Sequence, residues 1–276
     1  MKKGSVMSEI ESFIKNCQME KKHTVGIGNS ANPENVLNFG EGGEKRSLHS
    51  SWILGGSAIN ICKGLLSFDI QSNLHIFTAK ENGRTTTADQ IIRNIMSQLI
   101  KEFEERHGTK IQKIPCLERD SYAVKEIGSN WTAGAKGPFL EEKREEVTGI
   151  LASAGRTSDI QIQTGIQPHE VDLANAFFKN RGARILNLKP SVLENKRLRK
   201  AALKKCDYLF MNNEEFDRSS CSAKQLHNEG PDVIIITNGD NGVRWSTRQE
   251  GERWLKGHSI EYPKGITPYT TGCGDW

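Results

Sequence analysis

The sequence predicts an α/β fold: three layers, α/β/α, around a mainly parallel sheet, with a small β lid. Two observations lead to this fold class. Apolar, β-branched runs alternate with amphipathic helical runs along most of the chain, and two polar stretches interrupt the alternation. Repeated strand–helix alternation implies right-handed crossovers, which place helices on both faces of a parallel sheet. The 276 residues suffice for one large domain of this kind.

The elements follow in order. Residues 1–22 are an N-terminal extension with an amphipathic stretch at 7–17, and residues 23–276 form the α/β domain. Its first strand, 23–28 (HTVGIG), ends on glycine, and a strand at 52–54 leads to a helix for which Ser57 is the predicted N-cap. Strand-like and helical runs alternate from there; the predicted strands are 74–78, 160–164, 184–188, 207–211 and 233–237, and the predicted helices are about 88–105, 171–180 and 195–205.

Two polar stretches with short alternating segments break this rhythm, at about 34–49 and 111–139. Such segments are typical of short exposed strands, so we expect a lid outside the main sheet. A disordered insertion is the alternative for each stretch.

Composition narrows the function classes. The chain has 38 Lys and Arg and 34 Asp and Glu, and the positive and negative residues are interspersed. This charge pattern argues against a dedicated nucleic-acid binder. The densest basic stretch, 196–205, has the spacing of a solvated helix face. No apolar run approaches the roughly 20 residues that span a bilayer, so we expect a cytoplasmic protein with no membrane partner. The six cysteines form no CxxC pair and are expected to be free thiols.

Phosphate-binding turns of two common kinds can be weighed directly. The segment 26–31 fits the loose GxGxxA form of a dinucleotide turn, which would indicate an NAD(P)-dependent oxidoreductase. That turn must open a helix, however, and here Pro33 follows, which biases Asn32 away from helix. This alternative is therefore weak, and the sequence contains no GxxxxGK[ST] phosphate loop.

Four short motifs carry candidate chemistry. They are GGSAIN at 55–60, NNEE at 212–215, TNGDNG at 237–242 and TTGCGD at 270–275. Alone, each has an ordinary explanation as a turn or a helix cap. Together they offer glycines that let a ligand approach the backbone, and a final turn whose N–H groups can bind developing negative charge beside an aspartate.

In this order the motifs resemble those of the PfkB or ribokinase family of carbohydrate and nucleoside kinases, from about His23 to the last motif. The polar interruptions suit the β lid of that family. The resemblance implies a ribokinase-like, ATP-dependent phosphotransferase that acts on an alcohol group of a sugar, sugar acid or nucleoside. ATP and Mg²⁺ would be its cofactors and a small polyol its partner, with a homodimer through the lid as one arrangement.

The resemblance also assigns roles. Asp275 resembles the catalytic base, and the backbone amides of Gly272, Cys273 and Gly274 resemble its anion hole. Glu34 stands where the family often has an aspartate, so its carboxylate is one methylene longer. The implied substrate contacts are Asn32, Glu34, Gly55, Gly56 and Asn60; the implied nucleotide contacts are Asn212, Thr237, Gly239, Gly242 and Thr271, with Glu215 holding Mg²⁺ through water.

The chain departs from the family pattern in two places. Tyr269 stands where the family commonly has aspartate, so activation by potassium is not expected. Family members also continue through the helix that Asp275 caps, so we expect this sequence to be a fragment of a longer reading frame. A deliberately shortened chain and a degenerate protein are the alternatives, and the last would be a catalytically inactive ligand-binding or regulatory protein on the same fold.

Overall fold

A computed structural model describes residues 25–29, 31–39, 48–80, 86–126, 132–178 and 182–257. Their strands form a nine-stranded main sheet and a four-stranded lid sheet. The main-sheet strands are β1 (Val25–Asn29), β4 (Ser72–Ala79), β5 (Ile111–Leu117), β8 (Ile160–Ile166), β9 (Ala183–Leu188), β10 (Tyr208–Asn212), β11 (Val233–Thr237), β12 (Gly242–Thr247) and β13 (Gly251–Lys256). The lid strands are β2 (Asn32–Phe39), β3 (Leu48–Gly55), β6 (Tyr122–Glu126) and β7 (Thr132–Ala135).

The main sheet has the order β13-β12-β11-β10-β9-β8-β1-β4-β5 and is parallel except for the hairpin strands β12 and β13. None of the described helices combines the length and apolar content needed to cross a bilayer. The α-helices are α1 (Ser57–Ser67), α2 (Thr87–His107), α3 (Arg144–Arg156), α4 (Val171–Phe177), α5 (Pro190–Leu193), α6 (Lys196–Leu203), α7 (Asn213–Arg218) and α8 (Ala223–Glu229).

Apolar side chains on both faces of the parallel strands hold the layers together, as expected for strands covered on two sides. On one face, α1 and α2 pack over β1 and β4 through residues such as Ile59, Ile27 and Leu74. On the other face, α3 to α6 and α8 cover β8 to β11. The longest helix, α2, begins with a capping box between Thr86 and Asp89, which satisfies two backbone N–H groups of its first turn.

The lid leaves the main sheet at its carboxyl edge, where β1 ends and β2 begins three residues later. Its strand order is β3-β2-β6-β7, with β2 and β6 parallel and the other pairs antiparallel. Contacts that tie the lid to the domain include the hydrogen bond from Ala79 N–H to Asp120 Oδ1 at 2.7 Å and the ion pair of Lys136 Nζ with Glu170 Oε1 at 3.2 Å.

The three-layer α/β/α architecture with a small β lid is confirmed, but some details of the prediction are wrong. The second lid segment was predicted to begin at residue 111, whereas β5 pairs with β4 in the main sheet and the lid resumes at Tyr122. Alternating polarity does not separate an edge strand of a main sheet from a lid strand. Ser57 is the first residue of α1, and the N-cap is Gly56 with φ 96°, which favours glycine.

The basic stretch from residue 196 is a helix, but it is not solvated along its whole length. Asn195 caps α6 by accepting N–H bonds from Arg197 and Leu198. Arg199 turns inward and is buried, where it forms a bidentate ion pair with Glu229 at 2.8 and 3.1 Å. Arg199 was predicted to face solvent but instead joins α6 to α8 through this ion pair.

Candidate functional site

The first group of predicted site residues meets where the lid joins the domain. Strand pairing places Asn32 opposite Gly55, and Glu34 two residues further along the same strand. The Glu34 carboxylate is buried over Gly55, where a β-carbon would collide with it. The N–H of Gly56 donates to Glu34 Oε1 at 3.0 Å. Gly55 therefore leaves room for this carboxylate and Gly56 donates a backbone N–H to it, roles that the sequence motif alone does not reveal.

Two lysines that were not predicted accompany Glu34. Lys125 on β6 lies with its Nζ 2.8 Å from Glu34 Oε2, and both side chains are largely buried. Lys63 on α1 donates from Nζ to the backbone oxygen of Leu54 at 3.2 Å. Burial lowers the pKa of Lys63, and the nearby charge of Glu34 partly opposes that shift. Cross-strand register brings Lys125 here, so no local motif marks it.

Asn60 lies in the first turn of α1, where its N–H donates to the carbonyl oxygen of Gly56 at 3.1 Å. This position is on the helix that begins directly after the glycine pair, so Asn60 belongs to the same corner as Glu34. The structure thus brings together all five residues of the predicted substrate group.

The second group lies at the carboxyl ends of β10 and β11. Asn212 Oδ1 accepts the N–H of Glu215 at 2.7 Å, and Glu215 Oε2 accepts the N–H of Asn212 at 2.9 Å. This reciprocal pair is a capping box that starts α7. Burial raises the pKa of the Glu215 carboxyl, while the N–H of Asn212 and the charge of Lys189 lower it.

Asn187 is a third member of this group that the motifs did not include. Its Nδ2 donates to Phe210 O at 3.1 Å and lies 3.4 Å from Glu215 Oε2, and its Oδ1 accepts the N–H of Gly165 at 3.3 Å. One amide therefore joins β8, β9 and β10 at their carboxyl ends and orients Glu215. A polar residue near the end of an otherwise apolar strand is the signal that could have identified it.

The carboxyl edge of the sheet next to β10 also holds Thr237, Gly239 and Gly242. Thr237 pairs with Asn212 across parallel strands, which puts the two ends side by side. Gly239 opens a short 3₁₀ turn, Gly239–Asn241, and Gly242 begins β12 with φ 103°. The predicted hairpin turn thus contains a 3₁₀ turn, and both glycines adopt backbone angles that other residues disfavour.

The segment 26–31 does not form a dinucleotide turn. Strand β1 leads into lid strand β2, so the helix that such a turn must open is not there. A side chain at Gly26 would collide with Ser158, and one at Gly28 with Gln163. The glycines allow close packing of β1 against β8, and the alternative of an NAD(P)-dependent oxidoreductase loses its only support.

The two groups flank the point where the sheet topology reverses. From β1 the chain continues to β4 and β5 on one side, and later to β8, β9 and β10 on the other. Ligands of open α/β sheets bind in the crevice outside the carboxyl ends of the strands at such a point. Gln163, whose Nε2 is buried with no partner among the described residues, lies there beside Gly28.

The terminal motif, with Thr271, Gly272, Cys273, Gly274 and Asp275, lies outside the described residues. Its predicted roles therefore stay predictions.

The donor set around Glu215 fits the Mg²⁺ ion that the resemblance implies. Mg²⁺ binds oxygen ligands and usually keeps several waters, with one or two carboxylates contributing. Among the described residues, the hydrogen bonds of this carboxylate all go to Oε2, which leaves Oε1 for a water on the metal. Glu215 would hold the ion through that water.

Comparison with known proteins supports the same fold. No protein-family model matches the chain. Deoxyribokinases of Salmonella typhi and Salmonella typhimurium are 26% identical over 192 residues, which are 64% of this chain and 60% of each relative. The match thus spans less than two thirds of these relatives' length.

Solved structures cover more of the chain at lower identity. A ribokinase from Thermotoga maritima aligns with a TM-score of 0.63 at 18% identity, over 92% of this chain and 82% of that one. Arabidopsis thaliana ribokinase complexed with ribose and ATP gives 0.60 at 15%, over 92% and 82%. Burkholderia thailandensis nucleoside kinase with inosine gives 0.61 at 16%, over 91% and 80%. The chain therefore has the ribokinase-like α/β fold that the motif resemblance implies.

Proposed function

We propose that this protein is an ATP-dependent kinase that phosphorylates an alcohol group of a sugar, sugar acid or nucleoside. One observation carries the proposal: two groups of polar residues flank the point where the order of the main sheet reverses. One group is the Glu34 carboxylate under the lid, and the other is the capping box of Asn212 and Glu215 after β10. Three strand spacings separate β1 from β10, roughly 14 Å. A polyol at one end and a nucleotide at the other would meet over β8 and β9.

The chain's own residues suit phosphoryl transfer, in which positioning and charge neutralisation dominate. Glu34, held by the N–H of Gly56, has lone pairs left to accept hydrogen bonds from substrate hydroxyls. The lid would exclude water, which competes as an acceptor. Glu215 and Asn212 would orient the waters of a Mg²⁺ ion bound with ATP, which would supply neutralisation of the phosphate charge. Asp275 would accept the proton of the attacking hydroxyl.

The test is sugar-dependent conversion of ATP to ADP by the full chain with Mg²⁺, using aldoses, aldonic acids and nucleosides. Asp275→Asn should abolish turnover and leave sugar binding, measured by calorimetry, within about twofold. Glu34→Gln should weaken sugar binding about tenfold or more, because charge-assisted hydrogen bonds are lost. Glu194→Gln, which alters a surface ion pair far along the chain, is the matched control and should leave both measurements unchanged.

Two results would contradict the kinase proposal. Turnover that survives Asp275→Asn would remove the proposed base, and sugar binding without any turnover would favour the inactive ligand-binding alternative. The homodimer also stays a prediction. Among the described residues, the lid sheet ends on β3 and β7, and strands at sheet edges are suited to pairing with a second copy.

A further inference from the structure

Among the described residues, two lysines and one glutamate lie together at the corner around Glu34. We propose that the physiological substrate carries a carboxylate, a polyhydroxy acid and not a neutral sugar, and that Lys125 binds this group from the lid. The inference rests on the proposed kinase function and adds the substrate class to it. It is carried by three side chains that lie together at the lid base: Glu34, Lys63 and Lys125.

Lys125 is positioned to bind a ligand as well as Glu34. Its side chain is 12% exposed and that of Glu34 is 5%, so the 2.8 Å ion pair is shielded from bulk water. An ammonium group has three donors, and the pair with Glu34 uses one. Lys125 stands on lid strand β6, which pairs with β2, the strand that carries Asn32 and Glu34. Its other donors can therefore reach a ligand held between lid and domain.

Lys63 supplies the excess charge. Its ammonium group donates to a neutral carbonyl oxygen, that of Leu54, and burial disfavours its charged form. Glu34 is already neutralised by Lys125, so the second ammonium has no full counter-charge within this trio. An anionic group on the substrate would neutralise this extra positive charge, since partly buried charges are stabilised by pairing.

A neutral sugar would not restore that balance. Its hydroxyl groups could accept from Lys125 and donate to Glu34, but the corner would keep its net positive charge in a shielded environment. A carboxylate would instead receive a charge-assisted hydrogen bond from Lys125, which is roughly twice as strong as a bond between neutral groups. Lys125 would then bridge two carboxylates, that of Glu34 and that of the substrate.

The experiment compares pairs that differ in the oxidation state of C1: D-ribonate with D-ribose, and D-gluconate with D-glucose. Binding to the full chain is measured by calorimetry without ATP. We expect at least one aldonate to bind about tenfold or more tightly than its aldose. Lys125→Met, which keeps the methylene stem, should abolish that preference, and Lys125→Arg, which keeps the charge, should retain its direction.

Lys136→Met is the matched control, because Lys136 is also a lid lysine paired with a glutamate but lies at the other anchor of the lid. It should leave the preference unchanged. Equal or tighter binding of the aldoses by the unmodified protein, or a preference that survives Lys125→Met, would overturn the inference alone. If no polyol of either class is bound or phosphorylated, the proposed function itself fails. Lys125→Arg and the unmodified protein decide the matter even if Lys125→Met unfolds.

Discussion

At Gly55 the lack of a side chain is what allows the Glu34 carboxylate to lie over the backbone and meet the N–H of Gly56. Gly55→Ala would push that carboxylate away and break its contacts with Gly56 and Lys125. Overpacking of this kind costs about 1–3 kcal/mol. We expect a lower free energy of unfolding in urea, together with weaker binding of the substrate.

Gly149 provides the matched control on the same chain. It lies in the exposed part of α3, and a β-carbon there would meet nothing within 4 Å. Gly149→Ala should therefore stabilise the protein by about 0.4–1 kcal/mol, because it reduces the freedom of the unfolded chain and suits a helix. Equal effects of the two substitutions would contradict the role given to Gly55.

We expect the Glu215 carboxyl to contribute to the pH dependence of the free energy of unfolding. Burial raises the pKa of its carboxyl in the folded protein, so the folded state holds the proton more tightly than the unfolded state. Its contribution is fully present below the unfolded pKa and is lost as pH rises through the folded pKa. The Glu215→Gln variant has no group at this position that titrates in this pH range. The variant's free energy of unfolding, relative to the unmodified protein, should therefore increase between pH 4 and pH 7, as measured by urea titrations; a decrease would refute the assignment.

Between elements, the ion pair of Arg199 and Glu229 joins α6 to α8 with both side chains at most 7% exposed. Arg199 Nη1 also donates to Leu193 O at 2.6 Å, so the guanidinium is held from several sides. Glu229→Ala would leave this charge buried without its carboxylate. We expect a loss of about 3–5 kcal/mol in the free energy of unfolding.

The exposed pair between Arg218 and Glu194 is the comparison for that loss. Both of its side chains are about half exposed, and solvent screens their attraction. Glu194→Ala should therefore cost at most about 1 kcal/mol by the same urea measurement. Similar losses for the two alanine variants would mean that burial of the Arg199 pair contributes nothing.

Elements with strong local patterns were predictable, and those defined by partners were not. The apolar run of β11 was predicted with its observed bounds, Val233–Thr237. Helix α3 was missed, since its two glycines weaken the helical pattern. The hairpin strands β12 and β13 were missed as well, because every residue of β13 is exposed and no apolar periodicity marks it.

For the whole molecule, motif order was enough to predict the fold and to name residues that the fold brings together. It could not identify Lys125, Asn187 or Gln163. Their places depend on strand register and on the sheet order, which bring together residues far apart in the sequence. Short motifs record only the local part of a site, whereas these side chains contribute through pairing between distant strands.

The main sheet as described is covered unequally on its two faces, and neighbouring residues of β10 test this. Met211 faces α7 and α8 and is 3% exposed, whereas Phe210 faces the opposite side and is 36% exposed. Met211→Thr would bury a hydroxyl in an apolar core, which should cost about 3 kcal/mol. Phe210→Thr places a β-branched residue, which suits a strand, at a half-open position and should cost about 1 kcal/mol. Urea unfolding of both variants measures the difference, and a larger loss for Phe210→Thr would mean that the open face is the more tightly packed one.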